Sequence, residues 1–231
     1  MSASPNRGRS TTHHTCMLGC SHVKLFVLGP TGGTGKQIVA QALDAGHEVT
    51  VLTRDRSRVT TQHPRLKIVG GDTTAGGAAM SGAMRDHDAV ISAIGRGKTF
   101  QSEQLIARSV PGILGAMQAS GVRRLVFTSA LGVGDTFRDS PLLPRIFFKT
   151  LLRGIYADKL IGDNLIRHSG LDWTIVQPAV LTDGPLTRKY RSGEHLPMSG
   201  MPAISRADTA HFILDRINDQ ATFGKTLILA N

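Results

Sequence analysis

The 231-residue sequence holds only two cysteines, Cys16 and Cys20. No disulfide framework can carry the fold, so the core must stand on packing. Long apolar runs are missing too. Stretches such as Ile146-Phe147-Phe148 are cut by charges within a few residues, far short of the roughly 18 residues that cross a bilayer, and this excludes a membrane-spanning helix. Aromatics are scarce, with one tryptophan and two tyrosines, a poor supply for stacking on bases. Acid is the minority charge: 17 Asp and Glu face 27 Lys and Arg, for a net +10. That balance points to an anionic partner. Because the excess is spread along the chain and stacking rings are few, a phosphate-bearing small molecule accounts for it, and no nucleic-acid or membrane partner is expected.

Acidic residues are wholly absent from residues 1–21, which are rich in Ser, Thr, His, Gly and Arg and show no apolar periodicity. Residues 1–22 are therefore read as a flexible leader, and residues 23–231 as a single domain. No apolar segment of the secretory type follows Arg7 and Arg9, so the expected location is cytoplasmic. His13, His14, Cys16, Cys20 and His22 are residue types that zinc takes as ligands, but Cys16 and Cys20 lack a second ligand pair at the spacing of a closed four-ligand site, and no metal is expected. The rest, with 40% apolar and 19% charged residues, has the composition of a soluble globular protein.

From Val23 onward short apolar runs alternate with longer amphipathic stretches. Val23–Leu28, Val49–Thr53, Leu66–Val69, Ala89–Ile94, Arg124–Thr128, Trp173–Gln177 and Thr226–Leu229 read as strands. Several are rich in Val, Ile and Leu without polar alternation, as strands buried on both faces are. Helices are expected at Gly33–Ala45, Gly77–Met84, Ser102–Ser120, Leu143–His168 and Arg206–Asn218, with Gly46, Gly121 and Gly170 as stops. This order predicts an α/β fold with a doubly wound parallel sheet in one domain. The Gly- and Pro-rich segment near 178–206 is expected to be a long loop over the substrate side.

The sharpest signal is the first turn, Leu28-Gly29-Pro30-Thr31-Gly32-Gly33-Thr34-Gly35-Lys36. A strand runs into it and an apolar-periodic helix leaves it, the context of a dinucleotide fingerprint. Glycines at 29, 32 and 35 allow a tight bend and let pyrophosphate oxygens reach backbone amides, while the helix N-terminus adds partial positive charge. Gly29, Thr31, Gly32, Gly33, Thr34 and Gly35 are thus expected to bind the cofactor. A nucleoside-triphosphate loop is excluded, since Pro30 stands where its first glycine belongs and Gln37 where its metal-binding hydroxyl belongs. The second strand ends in Arg54, followed by Arg56 and Arg58. A guanidinium matches the 2′-phosphate, where a carboxylate would match the unphosphorylated ribose. Arg54 and Arg58 therefore favour NADP(H) over NAD(H), with Asp55 one residue away from reversing that choice. The later strand ends bring Asp72, and then Ala93, Ile94 and Gly95, to the same edge. Asp72 reads equally as an adenine contact and as a turn residue.

The ordered set of Gly29–Lys36, Gly46-His47-Glu48-Val49-Thr50 leading to Arg54, Gly71-Asp72, Ser92–Gly95, Phe127–Ala130, Ser169–Pro178 and Ile204–Ala210 resembles the atypical short-chain dehydrogenase/reductases. The similarity is to their NAD(P)H-binding, NmrA-like group, which includes flavin and biliverdin reductases, and it runs from about Val23 to Leu229. It implies a Rossmann fold, Arg54 at the 2′-phosphate, and Pro178, Ala179 and Val180 near the nicotinamide. Gln177 departs from the pattern, since relatives usually carry arginine there.

Hydride transfer asks for positioning plus a donor to the atom that receives electrons. Typical short-chain reductases use a serine, a tyrosine and a lysine four residues after that tyrosine. Ser129 fits the serine position, and equally reads as a strand-end hydroxyl. Tyr156 and Lys159 are three apart, one short of the usual spacing, yet share a helix face. These three are the candidate catalytic residues, with Lys159 and Ser129 also candidate cofactor contacts. Asp163 is expected to pair with Lys159. Two functions follow: an NADPH-dependent reductase of a small planar acceptor such as a flavin, quinone or conjugated carbonyl, or a non-catalytic NADP(H)-binding redox sensor.

Overall fold

A computed structural model of the chain describes residues 22–95, 104–134, 136 and 153–231. Along the sequence run β1 (Lys24–Leu28), α1 (Gly33–Asp44), β2 (Glu48–Thr53), β3 (Leu66–Gly70), α2 (Ala78–Met84), β4 (Ala89–Ser92), α3 (Leu105–Ser120), β5 (Arg124–Thr128), α4 (Arg153–Arg167), β6 (Asp172–Pro178), β7 (Val180–Thr182), β8 (Arg191–Gly193), β9 (Ala203–Ser205), α5 (Arg206–Asp215) and β10 (Lys225–Ala230). One sheet has the order β3-β2-β1-β4-β5-β6-β10-β8, parallel except where β8 runs against β10. The seven expected strands are all present, and the α/β doubly wound class holds.

Each face of the sheet buries its own core. Leu25, Val27, Val49, Val51 and Ile91 pack with Ile38, Val39 and Leu43 of α1 and Phe212 and Ile213 of α5. Phe26, Leu28, Val90, Leu125, Phe127 and Ile175 pack with Met80 and Met84 of α2, Ile106, Val110, Ile113 and Met117 of α3, and Ile166 of α4. The alternation follows from the two-residue period of strand side chains. It also places Gln177, two residues after Ile175, on the α3/α4 side of the sheet.

Two expectations changed, each for a physical reason. The expected helix 206–218 stops at Asp215, because the carbonyls of Arg216 and Ile217 turn to the buried Arg124 guanidinium, which donates to them at 2.7 and 2.8 Å. The segment 178–206, expected as plain loop, holds three three-residue strands. β8 edges the large sheet and β7 pairs with β9, and elements this short show no periodicity to read. α4 is described from Arg153, and the remainder of the expected helix 143–168 and the start at Ser102 lie partly outside the described residues.

Most of the expected leader, with Cys16 and Cys20, also lies outside them. Its last residue, His22, sets Nδ1 2.8 Å from the Gly46 carbonyl. The helix stops Gly46, Gly121 and Gly170 all have positive φ.

The start of α3 carries no cap in its own sequence. Gln104 precedes it in a left-handed conformation without a side-chain bond. Instead Asp158 of α4, almost fully buried, accepts from the Ile106 and Ala107 amides at 3.1 and 2.8 Å. A carboxylate at that position satisfies orphan donors and meets the positive end of the helix.

Candidate functional site

The strand order reverses between β1 and β4, and in open parallel sheets the crevice at such a point receives ligands. A cavity of about 620 Å³ opens there, within the size range of small-molecule sites. Its lining includes Gly29–Gly33, Arg54, Asp55, Arg58, Asp72, Ala93, Ile94 and Gly95.

The first turn is held by its own glycines. Gly29 has φ +77°, and a Cβ there would lie 2.7 Å from the Ala93 carbonyl oxygen. A Cβ on Gly35 would lie 2.0 Å from the Gly29 carbonyl oxygen, so only glycine lets α1 start this close under the turn. Gly35 and Thr34 are buried beneath the bend and are not among the residues lining the cavity. Gly32 caps α1 without any side-chain hydrogen bond, and a Cβ on it would meet nothing nearer than 3.6 Å. The helix N-terminus is thus presented to the cavity through the least obstructed residue of the turn. The stem of Arg206 lies across Gly33, with its guanidinium 2.7 Å from Asp183 Oδ1.

At the end of β2, Arg54 and Arg58 are exposed on the cavity wall. Arg56 turns away to lie against Gly70. Asp55 also lines the cavity, but its Oδ1 takes the Ser57 hydroxyl at 2.6 Å and the Ser57 amide at 3.0 Å. Those bonds, with Arg58 nearby, hold its carboxyl below the usual carboxylate range. Of the two readings of Asp72, the structure shows the turn. Its Oδ1 closes a turn by accepting from the Thr74 amide and hydroxyl, both at 2.9 Å, and it lines the cavity. The Thr74 amide first, then its hydroxyl and the charges of Arg54 and Arg108, outweigh burial and lower its pKa. Pro30, Leu52, Thr53, Gly71, Thr73 and Leu105 complete the wall and were absent from the expected set. Their sequence signal was weak because strand ends and a helix start reach one edge only through the topology.

The candidate catalytic residues lie elsewhere. Ser129 follows β5 and is 5% exposed, and its hydroxyl donates to Asp163 Oδ2 at 2.9 Å. Tyr156 and Lys159 stand on α4, outside the cavity lining. The Tyr156 hydroxyl donates to the Leu131 carbonyl at 3.0 Å, and burial pushes its pKa far up. Lys159 is lowered by burial against the opposing charges of Asp163 and Asp158. Asp163, expected as an ion-pair partner of Lys159, takes Ser129 and Gln177 as its hydrogen-bond partners instead, with Lys159 a neighbouring charge. Gln177, fully buried, accepts from Thr136 and donates to the Val133 carbonyl at 3.1 Å. Pro178 and Ala179 are buried and Val180 exposed beyond the same strand, outside the cavity lining. The Leu131 amide donates to the Pro178 carbonyl at 3.1 Å.

With the crevice and its glycine turn in place, the similarities to known proteins take on meaning. Residues 29–220 match the family described as NAD(P)H-binding. The chain belongs to that family. A chloroplastic uncharacterized protein of Arabidopsis thaliana is 32% identical over 171 residues, 71% of this chain and 61% of its own length. A UPF0659 protein of Saccharomyces cerevisiae is 27% identical over 91% of this chain and 94% of its own. The photosystem II assembly factor Ycf39 of Synechocystis is 26% identical over 88% of this chain and 61% of its own. The chain therefore spans about three fifths of two of these relatives.

Among solved structures, a putative NADH-flavin reductase of Streptococcus pneumoniae superimposes with a TM-score of 0.74 at 24% identity, over 90% of this chain and 99% of that one. An anaerobilin reductase of Escherichia coli O157:H7 gives 0.73 at 21%, over 89% and 96%. At these identities the structures establish a shared Rossmann fold. No helix among the described residues is long and apolar enough to cross a membrane.

Proposed function

We propose that this family member is an NADPH-dependent reductase acting on a small planar acceptor, a flavin, a quinone or another conjugated carbonyl. The observation that carries the reading is the crevice at β1 and β4. One wall presents an uncapped helix N-terminus behind Gly32, and the other presents Arg54 and Arg58. A dinucleotide's diphosphate suits the first and a 2′-phosphate the second. Asp55, the residue that would favour an unphosphorylated ribose, has Oδ1 engaged by Ser57.

The donor set fits the cofactor: Gly29, Thr31, Gly32 and Gly33 at the diphosphate, Arg54 and Arg58 at the 2′-phosphate, and Asp72, Ala93, Ile94 and Gly95 along the adenosine half. Thr34 and Gly35 support the turn from below. When bound, NADPH supplies a hydride. A dinucleotide that straddles the switch point reaches over β5, where Ser129 is the hydroxyl in place for an acceptor and Lys159 the cation of the helix behind it. Pro178, Ala179 and Val180 bound that end. A putative NADH-flavin reductase and an anaerobilin reductase of the same fold support a conjugated ring system as the acceptor.

The test is a titration of NADPH against NADH on the wild type and on Arg54→Glu, followed by NADPH oxidation with flavin, quinone and carbonyl acceptors. Tighter NADPH binding that Arg54→Glu reverses, with oxidation by one acceptor class, is expected. Equal binding of NADH overturns the arginine assignment. A sensor without turnover is the second reading, favoured by the tie of the Tyr156 hydroxyl to the Leu131 carbonyl. Tight NADP(H) binding with no oxidation across the acceptors would establish it.

A further inference from the structure

At the C-terminal end of β4 the cavity is lined by Ala93, Ile94 and Gly95. On the neighbouring strand Ser92 pairs with Phe127, so Ile94 and Ser129 both stand two residues past that pair, side by side at the sheet edge. Ser129 thus carries its hydroxyl at the end of the strand next to β4, outside the cavity lining. Behind it, on α4, is Asp163, fully buried. One carboxyl oxygen, Oδ2, receives the Ser129 hydroxyl at 2.9 Å and the Gln177 amide at 3.4 Å. The other, Oδ1, has no hydrogen-bond partner among the described residues, and neither has the buried Oγ of Ser92.

A buried carboxylate with an unsatisfied oxygen is costly to keep charged and relieves that cost by binding a proton. The groups facing Asp163 fit this. Both cations that act on it, Lys159 and Arg167, belong to its own helix, while the strands opposite contribute the neutral Ser129 and Gln177. Burial is the largest influence and drives its pKa up, against those two bonds and two charges. Tyr156, on the same helix, gives its hydroxyl to the Leu131 backbone carbonyl.

We propose that Asp163 is the proton reserve of the reductase site: when its Oδ2 carries the proton, the 2.9 Å bond runs from the carboxyl to Ser129 Oγ, which frees the Ser129 hydroxyl proton for the oxygen or nitrogen of the acceptor as the carboxyl proton follows to Oγ. The balance is that of a two-electron reduction. NADPH gives up a hydride and becomes NADP⁺, the acceptor gains that hydride and one proton, and Asp163 is left as a carboxylate that solvent reprotonates. Ser129 touches the acceptor, and Asp163 acts through Ser129. The assignment rests on the reductase reading above.

The experiment has two arms. Infrared difference spectra of full-length protein labelled with ¹³C-aspartate, taken at neutral pH without cofactor, should show a protonated carboxyl band that Asp163→Asn removes. With whichever flavin or quinone the wild type reduces, Asp163→Asn should lower kcat about 100-fold, the scale of one lost acid–base group, with NADPH affinity unchanged in a separate fluorescence titration. The wild-type kcat should fall at alkaline pH, and Asp163→Glu should keep that fall where Asp163→Asn loses it. A protein that turns over but lacks the band overturns the relay alone, as does an alkaline fall abolished by Tyr156→Phe and kept by Asp163→Asn. A protein with the band that binds NADPH yet reduces no acceptor overturns the reductase reading and the relay with it.

Discussion

The half of the sheet edge at β1, β2 and β3, which lines the cavity, is made of backbone, glycine and exposed arginine, whereas the half at β5 and β6, outside that lining, is made of buried polar side chains that hold one another. In the first, Gly29 and Gly35 leave room and Gly32 bares a helix end. In the second, Asp163, Ser129, Gln177 and Thr136 form a connected set tied to the Val133 carbonyl. A backbone cradle tolerates almost no added atom but ignores pH. A buried carboxyl tolerates an isosteric change yet depends on its proton. The two halves should therefore fail in different ways.

The largest expected effect is on the cradle. Gly35→Val puts a Cβ within 2.0 Å of the Gly29 carbonyl oxygen as the turn stands. The turn must open, at a cost of about 3 kcal/mol of stability, with NADPH binding lost, as thermal unfolding and fluorescence titration would register. Retained affinity would break the comparison at its first term.

Next comes charge at the rim. Arg54→Glu should weaken NADPH binding by about 30-fold or more, the worth of a lost charge-assisted hydrogen bond plus repulsion, and leave NADH nearly unchanged. The loss should shrink in high salt, because the site is exposed.

The other half is broken by pH. The folded-state pKa of Asp163 is raised, so between the unfolded carboxyl pKa and that raised value the folded chain binds the extra proton, and stability falls as pH rises through the window. Each unit of that difference is worth about 1.4 kcal/mol. Asp163→Asn removes the dependence. Its melting temperature relative to wild type should climb from acid to alkaline pH, and a flat difference would show that the carboxyl is ionised throughout.

The smallest expected effect sharpens the first half. Asp55→Ala removes a carboxylate already engaged by Ser57, so NADPH affinity should stay within about twofold, the range of a surface change. A large gain in NADPH affinity would mean that Asp55 opposes the 2′-phosphate more than its bonds suggest.

The cradle was legible for a local reason. Within the run from Leu28 to Lys36, Gly35 answers to the Gly29 carbonyl a few residues earlier, while the Ala93 carbonyl that crowds Gly29 is brought there by β4. Arg54 was legible because it follows the last residue of β2. The sheet could be read from its apolar runs because strands covered on both faces carry no polar alternation. By contrast Asp158 shows no signal, since the amides it caps belong to a helix about fifty residues earlier. Asp163 looked like an ion-pair partner of Lys159 from helix spacing, and only the approach of β5 and β6 turned it toward Ser129 and Gln177. Gln177 read as a departure from its relatives, and the fold shows it filling a neutral position in that buried set.

The amino-acid order alone determined the strand and helix sequence, the bend at Gly29–Gly35 and the basic end of β2, because each depends on residues adjacent in the chain and on the period of hydrophobic burial. Tertiary structure decided where Asp158 and Asp163 point and which partners they meet. A buried carboxyl takes its character from whatever donors the neighbouring elements bring to it, and those donors come from parts of the chain that local pattern does not connect.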